Sequence, residues 1–142
     1  MAHLGPVRRW ELYEADLEFV VGSEQGGEKR PVLIVSNDGF NATFPVITIL
    51  PLTKQDKKKR KAYPFEVLLP GGVAGNPLDS IVMPYQIRTI SKTRLLAAPL
   101  GALTDVALQQ EIEDKLLQHL DIALDVVDDA DGATEDETAA GA

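Results

Sequence analysis

The feature that most constrains the fold is a series of short, largely apolar runs between residues 11 and 90. They are rich in Val, Ile and Leu or alternate apolar with polar residues, as strands do. The runs are ELYEADL, RPVLIVSN, FPVITILPLT, YPFEVLL and DSIVMPYQIRTI, the last interrupted by Pro84. In YPFEVLL, the alternation places Phe65, Val67 and Leu69 on one face. The runs predict a compact, mainly β domain.

A helical periodicity follows and predicts one amphipathic helix that closes the domain. Apolar residues recur near helical spacing from Val106 to Leu124, and Thr104 stands where an N-cap is needed. We expect residues 1–124 to form one domain, because 142 residues with 44% apolar content suffice for a single core. Residues 125–142 carry seven acids with Ala, Gly and Thr and no aromatic residue, which is the composition of a disordered, solvated tail.

The charge is distributed unevenly along the chain. A formal net charge of -8 disfavours nucleic acid as a partner, but seven of the acids lie in residues 125–142. Residues 1–124 are nearly neutral, with 15 acids and 14 bases. Residues 54–61, the basic loop, hold six bases and one acid. Such a loop is suited to guiding a nucleic-acid backbone, the alternative being a solubilising surface loop. The predicted contacts are Lys57, Lys58, Lys59 and Arg60.

Several classes of site are excluded or disfavoured by composition. The chain has no cysteine, so it forms no disulfide, thiolate zinc site or thiol nucleophile. His3 and His119 are far apart in the sequence, so a histidine metal site is not expected. The N-terminal residues lack a signal peptide's apolar stretch, and no run of about 18 apolar residues occurs. We expect a cytoplasmic protein without membrane association, metal or other cofactor.

The stretch VVGSEQGGEKRPVLIVSND, residues 20–38, sets a polar, glycine-rich loop directly before an apolar strand. One interpretation is a surface hairpin in which Gly26 and Gly27 supply positive φ. The other is a reactive loop, which needs polar partners elsewhere in the chain. Candidates are Thr53, at the end of an apolar strand, and residues 86–89, a polar QIRT segment inside another predicted strand.

Together these stretches resemble the MazF/PemK family of toxins, the endoribonuclease component of type II toxin–antitoxin pairs. The motifs are VGSEQGGEKRPVLIVSND, ITILPLT and DSIVMPYQIRTISKTRL, followed by a turn and a helix. The resemblance covers residues 8–124 in order. The chain departs from the family where RRWEL replaces an Arg-Gly-Asp-like stretch, and where Tyr85 replaces a residue that is often acidic. The resemblance implies an SH3-like small β-barrel of the PemK/CcdB type with a C-terminal helix.

The resemblance also implies a function. It is sequence-specific, metal-independent cleavage of single-stranded mRNA, in which a ribose 2′-hydroxyl attacks phosphorus and leaves 2′,3′-cyclic phosphate and 5′-hydroxyl ends. Family members work as homodimers and are neutralised by a cognate, MazE-like antitoxin. A second toxin class, the CcdB toxins, shares the barrel but inhibits DNA gyrase and cuts nothing. An RNA-binding module without cleavage is a third possibility.

Residues of this chain match the family's site. Arg30 and Thr53 match the catalytic arginine and threonine, and their retention favours the nuclease. The charged, planar fork of Arg30 suits phosphoryl oxygens, so we expect it to stabilise charge rather than to move protons. Glu24 is the candidate for removing the proton or for fixing Arg30. Gln86 and Arg88 are expected to face RNA, the alternative being structural hydrogen bonds.

Overall fold

A computed structural model describes residues 5–55 and 60–124 of the chain. Lys57, Lys58 and Lys59 and the predicted tail, residues 125–142, lie outside the described residues. The described part contains seven strands, two α-helices and three short 3₁₀ turns. The strands are β1 (Glu11–Ala15), β2 (Arg30–Ile34), β3 (Val46–Lys54), β4 (Val67–Leu69), β5 (Ser80–Val82), β6 (Arg88–Ser91) and β7 (Gly101–Ala102). The helices are α1 (Asp38–Thr43) and α2 (Val106–His119).

The strands form one antiparallel sheet in the order β4-β5-β3-β2-β1-β7, with β6 also paired to β3. Residues 46–49 of β3 pair with β6, and residues 52–54 pair with β5. Pro51 lies between these two segments and has no N–H to donate to a ladder. Because β3 changes partner here, the sheet curls into a half-barrel. The predicted mainly β fold with a C-terminal helix is confirmed.

Alternate residues of the central strands pack into two apolar clusters, one on each face of the sheet. Leu12 and Leu33 belong to the cluster that includes Ile112 of α2. Their neighbours Tyr13 and Val32 belong to the other cluster. Burial of both faces explains why RPVLIVSN is apolar almost without interruption. Full burial of Ile112 contributes roughly 1.5–3 kcal/mol to the docking of α2 on the sheet.

Two strand predictions need correction. The run YPFEVLL is a strand only from Val67, because residues 63–66 form a turn in which the Glu66 N–H donates to the Tyr63 carbonyl at 2.9 Å. Phe65 is consequently half exposed and does not share the buried face of Leu69. The interruption predicted at Pro84 is confirmed, but it is a 3₁₀ turn, Pro84–Gln86, so Gln86 lies in that turn and not in a strand.

Helix α1 was not predicted from the sequence. It has six residues and is capped by Asn37, whose Oδ1 accepts the Phe40 N–H at 2.8 Å. This cap satisfies one of the free N–H groups of the first turn. The apolar periodicity of such a short helix is too brief to distinguish it from a loop.

The ends of α2 also differ from the prediction. The N-cap is Asp105 rather than Thr104, because the Asp105 Oδ1 accepts the N–H groups of Ala107 and Leu108 at 2.9 and 3.2 Å. The helix ends at His119 and does not reach Leu124. Asp121 takes a left-handed φ of 56°, and the Ile122 N–H returns to the Leu117 carbonyl at 2.9 Å. This is the hydrogen-bond pattern of a Schellman ending.

Candidate active site

The sheet brings the two predicted catalytic residues together. In the β2–β3 ladder, Val32 pairs with Pro51 and Leu33 with Leu50. The ladder ends at Val32 and Pro51, and beyond it the Arg30 Nη1 donates to the carbonyl of Leu52, the residue before Thr53, at 3.3 Å. Arg30 thus begins its strand next to the end of β3, and the side chains of Arg30 and Thr53 are half-buried.

The Arg30 guanidinium is held by three neutral groups. Its Nε donates to the Gly26 carbonyl at 2.8 Å, and its Nη1 donates to the Leu52 carbonyl at 3.3 Å. With the Gln25 amide assigned so that its oxygen faces the guanidinium, that oxygen accepts from Nη2 at 2.9 Å and from Nη1 at 3.2 Å. Burial lowers the pKa of Arg30 from its ordinary value, but arginine remains protonated near neutral pH. These contacts fix the guanidinium without neutralising its charge.

Gln25 is a site residue that sequence reasoning missed, although it follows Glu24 directly. Two guanidinium nitrogens converge on its oxygen, as they do on a phosphoryl oxygen. Gly27 makes this approach possible, since a Cβ there would lie 3.3 Å from the Arg30 Nη2. Gly27 has a positive φ of 127°, as predicted, whereas Gly26 has no positive φ.

A cleft of about 260 Å³ adjoins this arginine and gathers several of the predicted residues. It is lined by Glu24, Gln25, Tyr85, Gln86, Ile87 and Arg88. The Glu24 carboxylate accepts the Val21 N–H at 2.7 Å and so closes a turn within the first loop, residues 16–29. The side chain that contacts Arg30 is Gln25 rather than Glu24, so the predicted role of Glu24 in fixing the arginine belongs to Gln25.

Gln86 makes the structural hydrogen bonds that were the alternative to RNA contact. Its Nε2 donates to the Ser23 carbonyl at 3.1 Å, and its Oε1 accepts the Gln25 N–H at 3.2 Å. These two bonds tie the first loop to the 3₁₀ turn. Arg88 begins β6 opposite Ile49 and lines the same cleft. The fold therefore places Glu24, Gln86 and Arg88 around one opening.

Arg60, predicted as a phosphate contact, is paired with an acid. Its Nη1 and Nη2 donate to the two carboxylate oxygens of Glu66, each at 3.0 Å, and its guanidinium lies 4.4 Å from the Tyr63 ring centroid. The hydrogen bond to Glu66 raises the pKa of Arg60. This compensated charge is suited to anchoring the end of the basic loop. The sequence feature that could have indicated this pair is Glu66, an acid inside a largely apolar run.

Two further observations apply to residues 5–55 and 60–124. In these ranges, no three His, Asp or Glu side chains are grouped as a metal site requires. None of the helices described is long and apolar enough to cross a membrane. The absence of a metal requirement stays a prediction.

Comparison with known proteins decides the family. The model of the PemK-like, MazF-like toxins of type II toxin–antitoxin systems matches residues 8–120. This chain belongs to that family. The toxin is 38% identical over 121 residues to endoribonuclease MazF9 of Mycobacterium tuberculosis, which covers 82% of this chain and 98% of the relative. It is 39% identical over 124 residues to endoribonuclease EndoA of Bacillus subtilis, covering 86% and 97% of the two chains.

Solved structures support the fold. MazF from Deinococcus radiodurans superposes on the toxin with a TM-score of 0.68 at 24% identity, over 83% of this chain and 99% of that one. A mycobacterial endoribonuclease in complex with its cognate antitoxin gives a TM-score of 0.64 at 25% identity, over 84% and 99%. The predicted family and barrel type are confirmed. The named relatives are endoribonucleases, which favours the nuclease over the gyrase-binding alternative.

Proposed function

We propose that the toxin is a sequence-specific endoribonuclease that cleaves single-stranded RNA without a metal ion. The observation that carries this proposal is the geometry of Arg30, whose two terminal nitrogens converge on one oxygen beside the end of β3. The nearby Thr53 supplies a hydroxyl, and the cleft supplies a carboxylate, Glu24. Relatives named as endoribonucleases support the same reaction class.

The reaction uses a nucleophile from the substrate. The ribose 2′-hydroxyl loses its proton to a base, and its oxygen bonds to the adjacent phosphorus. The bond from phosphorus to the 5′-oxygen of the next nucleotide then breaks, and that oxygen takes a proton. The products are a 2′,3′-cyclic phosphate and a 5′-hydroxyl. The protein must move two protons and stabilise the extra negative charge on the pentacoordinate phosphorus.

Arg30 provides the charge stabilisation. With its guanidinium held by Gly26, Leu52 and Gln25, Arg30 donates its remaining terminal N–H to a phosphoryl oxygen that binds beside Gln25. The half-buried location makes this interaction stronger than it would be in bulk water, because the effective dielectric constant is lower. Thr53 donates its hydroxyl to a second non-bridging oxygen or to the leaving oxygen. Glu24 accepts the 2′-hydroxyl proton.

Gln86 and Arg88 are the proposed RNA contacts in the cleft, and residues 57–59 are the proposed contacts to the RNA backbone. Each of the two Gln86 bonds to the first loop uses one N–H or one oxygen lone pair, so the amide keeps a second N–H and a second lone pair for a base. Arg60 supports the basic loop through Glu66. Recognition of bases by Gln86 would make cleavage sequence-specific.

We also propose a homodimer, a cognate MazE-like antitoxin and action in the cytoplasm, where transcripts are available. Exposed apolar side chains support pairing of two copies, since Phe19 is 96% exposed and Phe44 is 50% exposed. Structures of related toxins with their antitoxins support the second partner. An acidic antitoxin segment suits a cleft that binds phosphates, because both ligands are anionic. Sedimentation and co-purification test these partners.

The experiment that tests the activity is cleavage of a long transcript in excess EDTA, with mapping and chemical analysis of the new ends. We expect cleavage at one short motif, with cyclic phosphate and 5′-hydroxyl termini. Loss of cleavage in EDTA, or 5′-phosphate products, would contradict the mechanism. Arg30→Ala protein purified in parallel controls for contaminating ribonuclease. A supercoiling assay with DNA gyrase, run alongside, should show no inhibition.

A further inference from the structure

Glu66 carries a buried carboxylate that the proposed chemistry does not use. Its side chain is 0% exposed, and its two oxygens accept four hydrogen bonds. The donors are Arg60 Nη1 and Nη2, both at 3.0 Å, the Tyr63 N–H at 3.0 Å and the Tyr85 hydroxyl at 2.7 Å. Burying a charge is costly unless it is fully paired, and this one is fully paired. An apolar residue would fill the same space at no such cost.

The four hydrogen bonds join two separate segments of the chain. Arg60 and Tyr63 belong to the connection that leads out of the basic loop, whereas Tyr85 belongs to the 3₁₀ turn Pro84–Gln86. Three aromatic rings pack beside these bonds. The ring centroid of Phe65 lies 5.4 Å from that of Tyr63 and 5.1 Å from that of Tyr85, which it meets edge-on. Burial raises the pKa of Glu66, but the hydrogen bonds from Arg60, Tyr63 and Tyr85 outweigh it and keep the pKa below its ordinary value. Burial and the bond to Glu66 raise the pKa of Tyr85 to about 12.

A line of direct contacts leads from this cluster to the candidate active site. Tyr85 and Gln86 are neighbours in the same turn. Gln86 bonds the first loop at Ser23 and Gln25, at 3.1 and 3.2 Å. The Gln25 side chain in turn contacts Arg30 at 2.9 Å. Glu66 itself does not line the cleft, but Tyr85 and Gln86 form part of its wall.

We propose that Glu66 is a positioning residue for RNA cleavage, which holds the Tyr85–Gln86 wall and, through it, the first loop and Arg30. This inference rests on the proposed function. It assigns the buried carboxylate a role in the reaction rate in addition to its role in stability. A displacement of the first loop by about 1 Å would move the Arg30 donors away from the phosphorus, and such a misplacement can reduce the rate by about a hundredfold.

The test compares Glu66→Gln and Tyr85→Phe with the wild-type protein, at a temperature where circular dichroism shows all of them folded. Glu66→Gln keeps the size of the side chain and removes its charge, whereas Tyr85→Phe removes one hydroxyl and keeps the ring. We expect kcat/KM for a fixed RNA to fall about ten- to a hundredfold for Glu66→Gln. For Tyr85→Phe we expect a fall of roughly three- to tenfold. The matched control is Glu113→Gln, which breaks the surface pair with Arg9 at 3.2 Å and should leave kcat/KM unchanged.

A double-mutant cycle separates positioning from stability. If Glu66 acts through Arg30, Glu66→Gln should have little further effect in an Arg30→Ala background, because the group it positions is gone. Equal effects of Glu66→Gln in both backgrounds would overturn the proposal, as would a lowered melting temperature with wild-type kcat/KM. If Glu66→Gln does not fold, Tyr85→Phe undergoes the same cycle with the same criteria. Wild-type protein that leaves RNA intact would instead refute the proposed function, and this inference with it.

Discussion

Arg30 and Arg60 are held in fixed positions by opposite means, and the difference separates the two regions that contain them. At the start of β2, Arg30 donates to the carbonyls of Gly26 and Leu52 and to the amide of Gln25. At the end of the basic loop, Arg60 donates both terminal nitrogens to a buried carboxylate. Neutral oxygens orient a guanidinium and leave its charge available. A carboxylate orients it and neutralises it.

The pKa values of the two arginines shift in opposite directions, in line with their different partners. Burial lowers the pKa of Arg30, whereas the hydrogen bond to Glu66 raises that of Arg60. The Arg30 region therefore keeps an uncompensated, half-buried cation, which is unfavourable for folding but suited to an anionic ligand. The Arg60 region uses its cation to make burial of Glu66 possible. Substitution of Arg30 should change activity with little change in stability, whereas substitutions of Arg60 or Glu66 should lower stability and, through the position of the first loop, also affect activity.

The largest expected effect is that of Arg30→Ala on catalysis. Removing one preorganised donor to a developing oxyanion typically lowers the rate by about 10² to 10³. The fold should persist, because the lost contacts are to neutral groups at a strand end. Single-turnover cleavage of a defined RNA measures the rate, and circular dichroism checks the fold. A folded Arg30→Ala protein with normal cleavage would show that the charge of Arg30 is not used in catalysis.

Arg60→Ala should chiefly reduce the free energy of unfolding. It removes the partner of a buried carboxylate, a change that typically costs about 3 kcal/mol or more. Because the Arg60 side chain is 33% exposed, water can solvate Glu66 in the variant. We therefore expect the loss in unfolding free energy to lie at the low end of this range. Urea unfolding at neutral pH measures the difference. Stability equal to that of the wild type would show that Glu66 does not depend on Arg60.

The two arginines also differ in how much of their role the sequence predicted. Arg30 and Thr53 were predicted because each stands in a motif that resembles the family's and matches one of its catalytic residues. The pairing of Arg60 with Glu66 was missed, because contiguous bases predict a solvated loop and give no sign of a buried acid six residues later. The contacts of Gln25 and Gln86, 61 residues apart, depend on tertiary packing that no local pattern encodes. The positions of the strands could be predicted from the hydrophobic pattern. Helix α1 and the turn at residues 63–66 could not, because they depend on hydrogen bonds to the side chains of the capping residue Asn37 and of Glu66.

Arg30→Lys should have a smaller but clear effect on cleavage. Lysine keeps the charge but loses the planar fork that places two N–H groups on one oxygen. Loss of one charge-assisted hydrogen bond corresponds to roughly a ten- to hundredfold lower kcat/KM. The same RNA and assay as for Arg30→Ala give the ratio. Wild-type activity in Arg30→Lys would mean that the site needs only a point charge.

The smallest expected effect is on stability in acid, and it distinguishes the two regions directly. The folded-state pKa of Glu66 lies below its ordinary value of 4.5, so its ionised form stabilises the fold above that pH. This contribution is lost as pH falls through the folded-state pKa, because the carboxyl is then protonated in both states. Arg60→Gln weakens this contribution, so the difference in unfolding free energy between the variant and the wild type should be largest near neutral pH. It should shrink as pH falls below about 4.5.

Arg30→Gln is the matched control for that measurement, since Arg30 is held by neutral oxygens that do not titrate. Its difference in unfolding free energy from the wild type should stay constant from about pH 7 to about pH 3. Urea unfolding of the three proteins across this range gives both differences. A destabilisation by Arg30→Gln that also shrinks in acid would mean that a carboxylate compensates Arg30. The cation assigned to phosphate would then already be neutralised, and the division between the two arginines would fail.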